Sequence, residues 1–130
     1  MERVLVVGAG LAGFAGVAIG AAASHLAAGN PTTHDLLDIA SRYLLVHAVA
    51  ILGTGVLLLL DIAGRARRFA RLSGFLLLIG VMLFSGGIIL HGVAGHPVID
   101  MIIPVGGVTL MLGWLALAVS GVGLARRPRN

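Results

Sequence analysis

Residues 65–94 read RARRFARLSGFLLLIGVMLFSGGIILHGVA, a short arginine-rich run followed by a long apolar one. No Asp, Glu, Lys or Arg occurs between Leu72 and Ala94. A helix needs roughly 20 apolar residues to cross a hydrocarbon core about 30 Å thick, and this segment is long enough. It is also too long, and too uniformly apolar, for a buried strand. The segment therefore predicts a membrane-spanning helix.

Three further stretches have the same character, and the sequence predicts four spans at about residues 4–28, 43–60, 72–94 and 102–125. Charged residues make up only 11% of the 130-residue chain, whereas soluble proteins have about 25%. The alternating pattern of a transmembrane barrel is missing. We therefore predict an all-α fold, a four-transmembrane-helix bundle that forms a single integral membrane domain over residues 1–130.

The loop between the first two spans carries an amphipathic pattern. The first span ends near Asn30, and Thr32 followed by Asp35 is typical of a capping box. Apolar residues then recur at helical spacing, while charged side chains fall mostly on the opposite side. Asp38 and Arg42 have the i,i+4 spacing of an ion pair. This predicts a short amphipathic helix in the first extracytoplasmic loop that runs into the second span.

The nine basic residues, all arginines, predict the orientation. All but Arg42 lie at the amino terminus, between the second and third spans, or at the carboxyl terminus, and an even number of spans places these three regions on one side. By the positive-inside rule that side is the cytoplasm. This placement argues for membrane anchoring and against a nucleic-acid partner. The arginines that we expect to fix the topology and to contact anionic lipid headgroups are Arg65, Arg67, Arg68, Arg71, Arg126 and Arg127.

The amino-terminal region contains two motifs that have other common interpretations. Residues 8–13, GAGLAG, match the glycine spacing of a dinucleotide-binding turn. No second strand or following acidic residue completes the required βαβ unit, so we interpret these glycines as a packing face. Residues 1–24 resemble a signal peptide, but the apolar stretch is longer than a usual signal core. Cleavage would also put the remaining arginine clusters on opposite sides of the membrane.

The chain contains 20 glycines, and in lipid such residues let helix backbones approach closely. Gly16 and Gly20 form a GxxxG pair. The small-residue faces could close a tight bundle within one chain, or they could form the surface of a homo-oligomer or of a complex with other membrane-protein subunits. The glycines predicted to mediate helix packing are Gly13, Gly16, Gly20, Gly86, Gly106, Gly107 and Gly113.

Histidines are the main candidates for chemistry, and His25, His47 and His91 lie towards the outer side of three different spans. Facing helices can bind a metal or a haem through such residues. A second interpretation is that they are structural residues near the interface, bonded to carbonyls or headgroups. A third is a site for a lipid or quinone headgroup, with Tyr43 as a further contact. No HxH or HxxxH pair lies on one helix, so the sequence leaves the cofactor unknown.

The sequence shows no catalytic constellation. Cysteine and lysine are absent, and no carboxylate lies in mid-membrane to carry a proton or cation. We therefore expect a non-enzymatic membrane protein that acts as an accessory or assembly partner of other membrane proteins. A metal-, haem-, quinone- or lipid-headgroup-binding module that uses the histidines is the alternative.

Several separated motifs, in the same order, resemble one known family. They are GVAIGA at 16–21 followed by His25, IASRY at 39–43 followed by His47-Ala48, Gly74 through LFSG at 83–86, and IPVGG at 103–107 followed by Gly113-Trp114. Over about residues 8–123 the chain resembles the domain of unknown function 423 family, also described as the transmembrane protein 256 family. The resemblance implies a small multi-pass membrane protein, in bacteria one of the inner membrane, and it implies no reaction. It carries over His25 and His47 as candidate site residues, but not His91 or His96.

Overall fold

The computed structural model describes residues 1–27, 29–60, 62–94 and 97–124, and these form helices with no strand among them. Each helix is long and apolar enough to cross a membrane. The predicted all-α architecture with four membrane-spanning helices is thus confirmed. The helices are α1 (Glu2–Leu26), α2 (Pro31–Leu59), α3 (Gly64–Ala94) and α4 (Pro97–Leu124).

The two inner helices are α2 and α3, with α1 packed along α2 and α4 packed along α3. At one end of the bundle, Glu2 contacts Arg67, and Ser120 contacts Ala66. We call this the arginine end, because it carries Arg3 and the arginines of residues 65–71. We call the opposite end, where α1 and α3 finish and α2 begins, the histidine end. A core of interlocking apolar side chains joins the four helices and includes Leu5, Ile51, Leu77, Val81 and Leu110.

Helix α2 includes the predicted amphipathic segment as its first turns, so the segment and the second span form one continuous helix. The N-cap is Asn30 rather than Thr32, because the Asn30 side chain accepts a hydrogen bond from the Thr33 backbone N–H at 3.2 Å. Proline at the first helical position suits this start because it lacks the N–H that would be left unpaired. The predicted ion pair is present, with Arg42 Nη2 at 2.7 Å from Asp38 Oδ2.

Helices α3 and α4 begin earlier than the apolar stretches predict. Helix α3 starts at Gly64, whose φ of +61° suits glycine, and it includes the arginine run. Arginine is a good helix former, and its long side chain can keep the charge in water while the stem lies against apolar surface. Helix α4 starts at Pro97, so Pro104 lies inside it rather than in its first turn. Transmembrane helices tolerate internal proline because neighbouring groups can bond the freed carbonyl.

Candidate functional site

Glycines bring α3 and α4 into the closest contact in the bundle. A Cβ at Gly106 would overlap the backbone nitrogen of Phe84, and a Cβ at Gly113 would lie 2.8 Å from the Leu77 side chain. From the other side, Gly80 of α3 faces Leu110 of α4. These contacts leave no room for side chains between the two backbones, the arrangement that small residues permit in membrane helices.

The GxxxG pair of α1 packs against α2. The Ser41 hydroxyl of α2 donates to the Gly16 carbonyl across the interface at 2.7 Å, and a Cβ at Gly20 would lie 2.8 Å from that same hydroxyl oxygen. A Cβ at Gly13 would meet the Ala48 methyl group at 3.7 Å. The glycine faces of α1 and α4 are thus turned towards helices of the same chain.

Gly86 differs from the other glycines predicted to pack. A Cβ there would meet no atom of a described residue within 4 Å, whereas its neighbour Gly87 faces Ile103 of α4. One residue of helix rotates the side-chain direction by about 100°, so only one glycine of the pair can point at α4. Gly86 therefore does not pack against another described helix of this chain, and its role in packing against a partner stays a prediction. A Cβ at Gly107 would lie 3.7 Å from the Phe84 ring, an ordinary contact distance.

The three candidate histidine ligands lie at two different depths. His25 is exposed in the last turn of α1, and His91 is half-buried in the last turn of α3. His91 lies near the level of Leu36, since Leu36 contacts Gly92 of α3. His25 does so too, because Gly20 faces Ser41 and α1 runs antiparallel to α2. His47 follows Leu36 along α2 and is therefore about 16 Å deeper at 1.5 Å per residue. It lies near the middle of α2 and is only 5% exposed.

Within the described ranges, no group of three His, Cys, Asp or Glu side chains lies close enough to hold a metal ion. The structure therefore does not assemble His25, His47 and His91 into one ligand set. The expectation that all three lie towards the outer side fails for His47, because α2 begins at Pro31, well before the apolar stretch at residue 43. His96 lies outside the described residues.

Both ring nitrogens of His47 are engaged within the protein. The Trp114 indole Nε1–H donates to His47 Nε2 at 3.2 Å, and His47 Nδ1 lies 2.7 Å from the Tyr43 carbonyl oxygen. Because an indole N–H can only donate, Nε2 is the acceptor and Nδ1 carries the proton that it donates to Tyr43. Both hydrogen bonds of His47 are therefore satisfied inside the bundle, and a metal at Nε2 would have to displace Trp114.

Aromatic rings extend from this histidine to the lipid-facing surface. The Tyr43 ring stacks on His47 with centroids 5.6 Å apart and packs on Phe84 at 4.4 Å, while Trp114 meets His47 edge-on at 6.0 Å. These rings border a cavity of about 490 Å³ between α2 and α4, which we call the aromatic cleft. It is lined by Arg42, Tyr43, Val46, His47, Phe84, Gly107, Leu110, Met111 and Trp114.

Sequence reasoning misses Trp114 and Phe84 as parts of this site. One feature of the sequence draws attention to Trp114: it is the only tryptophan of a chain that also has only one tyrosine. Trp114 lies well inside its span instead of at an interface, where such residues usually lie. A mid-span indole needs a hydrogen-bond acceptor, and the structure provides His47 as that acceptor.

At the arginine end, Arg67 joins three parts of the chain. Its Nη2 lies 3.0 Å from Glu2 Oε1, and its Nη1 donates to the carbonyls of Leu58 and Ile62, each at 3.4 Å. The guanidinium thus binds a carboxylate at the start of α1, a carbonyl at the end of α2 and a carbonyl in the connection to α3. This intramolecular role adds to the topological one that the sequence predicts.

The other arginines of the predicted set differ in exposure. Arg65 and Arg68 are exposed, and Arg71 is half-buried. Arg126 and Arg127 lie outside the described residues, as does Asp61.

Comparison with known proteins gives a family. The family model described as "Protein of unknown function (DUF423)" matches residues 19–107, well over half of the chain. The chain belongs to this family. The family membership that the sequence motifs predict is thereby confirmed. The description of this family assigns no reaction to it.

Relatives of this DUF423 protein are named as membrane proteins. The UPF0382 membrane protein of Haemophilus influenzae is 36% identical over 83% of this chain and 85% of its own length. The UPF0382 membrane protein SAB0533 of Staphylococcus aureus is 29% identical over 92% and 95%. The UPF0382 inner membrane protein YgdD of Escherichia coli K12 is 27% identical over 97% and 95%. No solved structure matches the chain.

Proposed function

We propose that this protein is a non-enzymatic accessory or assembly partner of other membrane proteins in the bacterial inner membrane. Its docking surface is the aromatic cleft, and both termini face the cytoplasm. The observation that carries the proposal is the composition of the cleft: the only tyrosine and the only tryptophan of the chain, Tyr43 and Trp114, line the same lipid-facing cavity.

The cleft has the composition of a protein interface. Tryptophan, tyrosine, methionine and arginine are the residues enriched where proteins bind one another, and the cleft contains Trp114, Tyr43, Met111 and Arg42. Trp114 is 44% exposed and Tyr43 is 40% exposed, so both rings are available to a partner. Elsewhere the exposed surface of the spans is mostly Val, Leu, Ile and Ala, which suits lipid chains.

The hydrogen bonds of His47 make this surface rigid before a partner arrives. The bond between Trp114 and His47 fixes the indole, and the bond from His47 to the Tyr43 carbonyl fixes the imidazole. Immobilising a side chain at an interface costs about 0.5–1.5 kcal/mol of rotamer entropy. A side chain that is already ordered before binding avoids part of this cost. The cleft is therefore preorganised for an apolar segment of another membrane protein.

Photocrosslinking in native membranes tests the proposal. A photoreactive residue replaces Met111, which is exposed inside the cleft, or Phe14 of α1, which is 76% exposed and lies outside it. We expect a discrete adduct with an integral membrane protein, either a second copy of this chain or another subunit, from position 111 only. Trp114→Ala should abolish that adduct. Adducts with lipid alone at position 111, or identical adducts from both positions, would contradict the proposal.

A second candidate is a site for a quinone or for a lipid with a hydroxylated headgroup. It is favoured by the hydrogen bond between Trp114 and His47, which places an N–H donor and an imidazole acceptor side by side at the border of the cleft. A ligand hydroxyl inserted there would accept from the indole N–H and donate to Nε2. Chromatographic analysis of lipid extracts from the purified protein tests this. The candidate expects a bound quinone or hydroxylated lipid that His47→Phe removes; extracts without any such compound would contradict it.

A further inference from the structure

A second groove lies on the opposite side of the inner helix pair, between α1 and α3. It has a volume of about 570 Å³, and its wall is almost entirely apolar. From α1 it is lined by residues such as Val7 and Leu11, and from α3 by Leu78 and Met82. The groove has a polar residue at one end only, where Arg3 borders it at the arginine end.

The length of this groove matches one leaflet of a membrane. Its lining on α1 runs from Arg3 to Ala15, about 18 Å at 1.5 Å per residue. Half of a hydrocarbon core that is about 30 Å thick is about 15 Å. A single acyl chain that starts at the arginine end would therefore fill the groove and end near the middle of the bilayer.

The charge at its mouth selects the headgroup. Arg71 precedes Leu78 by two helical turns and so lies on the same face of α3, at the arginine end. Its buried Nε atom has no hydrogen-bond partner among the described residues. Among the residues that the structure describes, Arg67 is paired with Glu2, whereas neither Arg3 nor Arg71 forms an ion pair. Arg3 at the groove and Arg71 at the start of the same face of α3 thus bring two guanidinium groups, neither paired with a described carboxylate, to the end where a lipid phosphate would lie.

We propose that the α1–α3 groove is a binding site for an anionic phospholipid of the leaflet at the arginine end. One acyl chain lies along the groove, and Arg3 and Arg71 bind the phosphate of the headgroup. Basic residues near a membrane surface favour anionic lipid, and here the apolar groove turns that general attraction into a defined site. The proposal does not depend on the aromatic cleft, which lies between other helices.

Native mass spectrometry of the detergent-solubilised protein tests this site. The protein is titrated with equimolar phosphatidylglycerol and phosphatidylcholine, and the bound lipid is counted. We expect one phosphatidylglycerol to bind in preference to phosphatidylcholine. The double variant Arg3→Gln/Arg71→Gln should weaken this binding about 30-fold. This is the loss expected when the usual attraction of an arginine for anionic lipid at the membrane surface is removed twice. The matched pair Arg65→Gln/Arg68→Gln removes the same charge outside the groove and should change it little.

Two further experiments distinguish lipid binding in the groove from simple charge attraction to the arginines. Val7→Trp places an indole in the groove from its exposed side and should reduce phosphatidylglycerol binding although every arginine remains. Glycerol 3-phosphate, which has the phosphate but no acyl chain, should not compete. Equal binding of the two lipids by the unaltered protein, equal losses in the two double variants, or displacement by glycerol 3-phosphate would overturn the proposal.

Discussion

Replacing Gly106 by alanine should destabilise the bundle, whereas the same change at Gly86 should not. A Cβ at Gly106 would overlap the backbone nitrogen of Phe84 and lie 2.8 Å from its Cα, so a backbone rather than a movable side chain stands in the way. A Cβ at Gly86 would have none of the described residues within 4 Å. Both substitutions therefore add a methyl group. At Gly106 of α4 the methyl group lies inside the interface between α3 and α4, and at Gly86 of α3 it lies outside that interface.

The comparison of the two variants isolates the cost of overpacking. In helices, alanine is more favourable than glycine by about 1 kcal/mol, and both variants share this gain. Overpacking a well-packed interior costs about 1–3 kcal/mol, and only Gly106→Ala incurs it. We therefore expect Gly106→Ala to have a free energy of unfolding about 1–3 kcal/mol below that of Gly86→Ala.

Reversible unfolding in mixed micelles, followed by circular dichroism as the SDS fraction increases, measures both free energies. The Gly86→Ala variant is the control for any general effect of alanine on helix formation. If Gly106→Ala were as stable as Gly86→Ala, then α3 and α4 would not be in backbone contact at this position, and the packing described above would be wrong.

Three further predictions follow from hydrogen bonds and charge. Ser41→Ala removes an interhelical bond and should lower the free energy of unfolding by about 0.6 kcal/mol, and by no more than about 1.7; Thr109→Ala, which removes a bond within one helix, should cost less in the same unfolding assay. Arg67→Gln should lower the free energy of unfolding by about 1–3 kcal/mol, because charged hydrogen bonds to three groups are lost. The control Arg68→Gln should change that free energy by no more than about 0.5 kcal/mol. Equal losses in the two variants would argue against the bridging role of Arg67. Since the chain has no cysteine, Asp35→Cys should react with a membrane-impermeant maleimide in intact cells, and Arg68→Cys only after permeabilisation; the reverse pattern would invert the topology.

The four spans could be predicted from sequence because the bilayer sets simple local requirements. A segment must be long enough to cross the hydrocarbon, and its backbone must be satisfied by its own hydrogen bonds. Both requirements can be assessed from residues 72–94 alone. The ends of the helices are harder to predict, because arginines and capping residues extend a helix beyond its apolar stretch, as they do at Asn30 and Gly64.

The contacts between helices depend on rotation and register, which a single sequence does not specify. Gly86 and Gly87 look equivalent in sequence, yet only Gly87 faces α4. His47 likewise looks as shallow as His25 until the start of α2 is known. Its pairing with Trp114 joins residues of different helices, and only the packed bundle reveals it. The candidate ligands could be named from sequence, but the aromatic cleft could not.

The aromatic cleft is the central claim, and Trp114 reports on it directly. As the only tryptophan of the chain, it provides all of the indole fluorescence. It adjoins Gly113, which packs on Leu77 near the middle of α3, so its ring should be at hydrocarbon depth. We predict that lipids brominated near the middle of the acyl chain quench this fluorescence more strongly than lipids brominated near the headgroup, and that aqueous iodide has little effect. Strong quenching by iodide, or none by any brominated lipid, would contradict a lipid-facing cleft at this position.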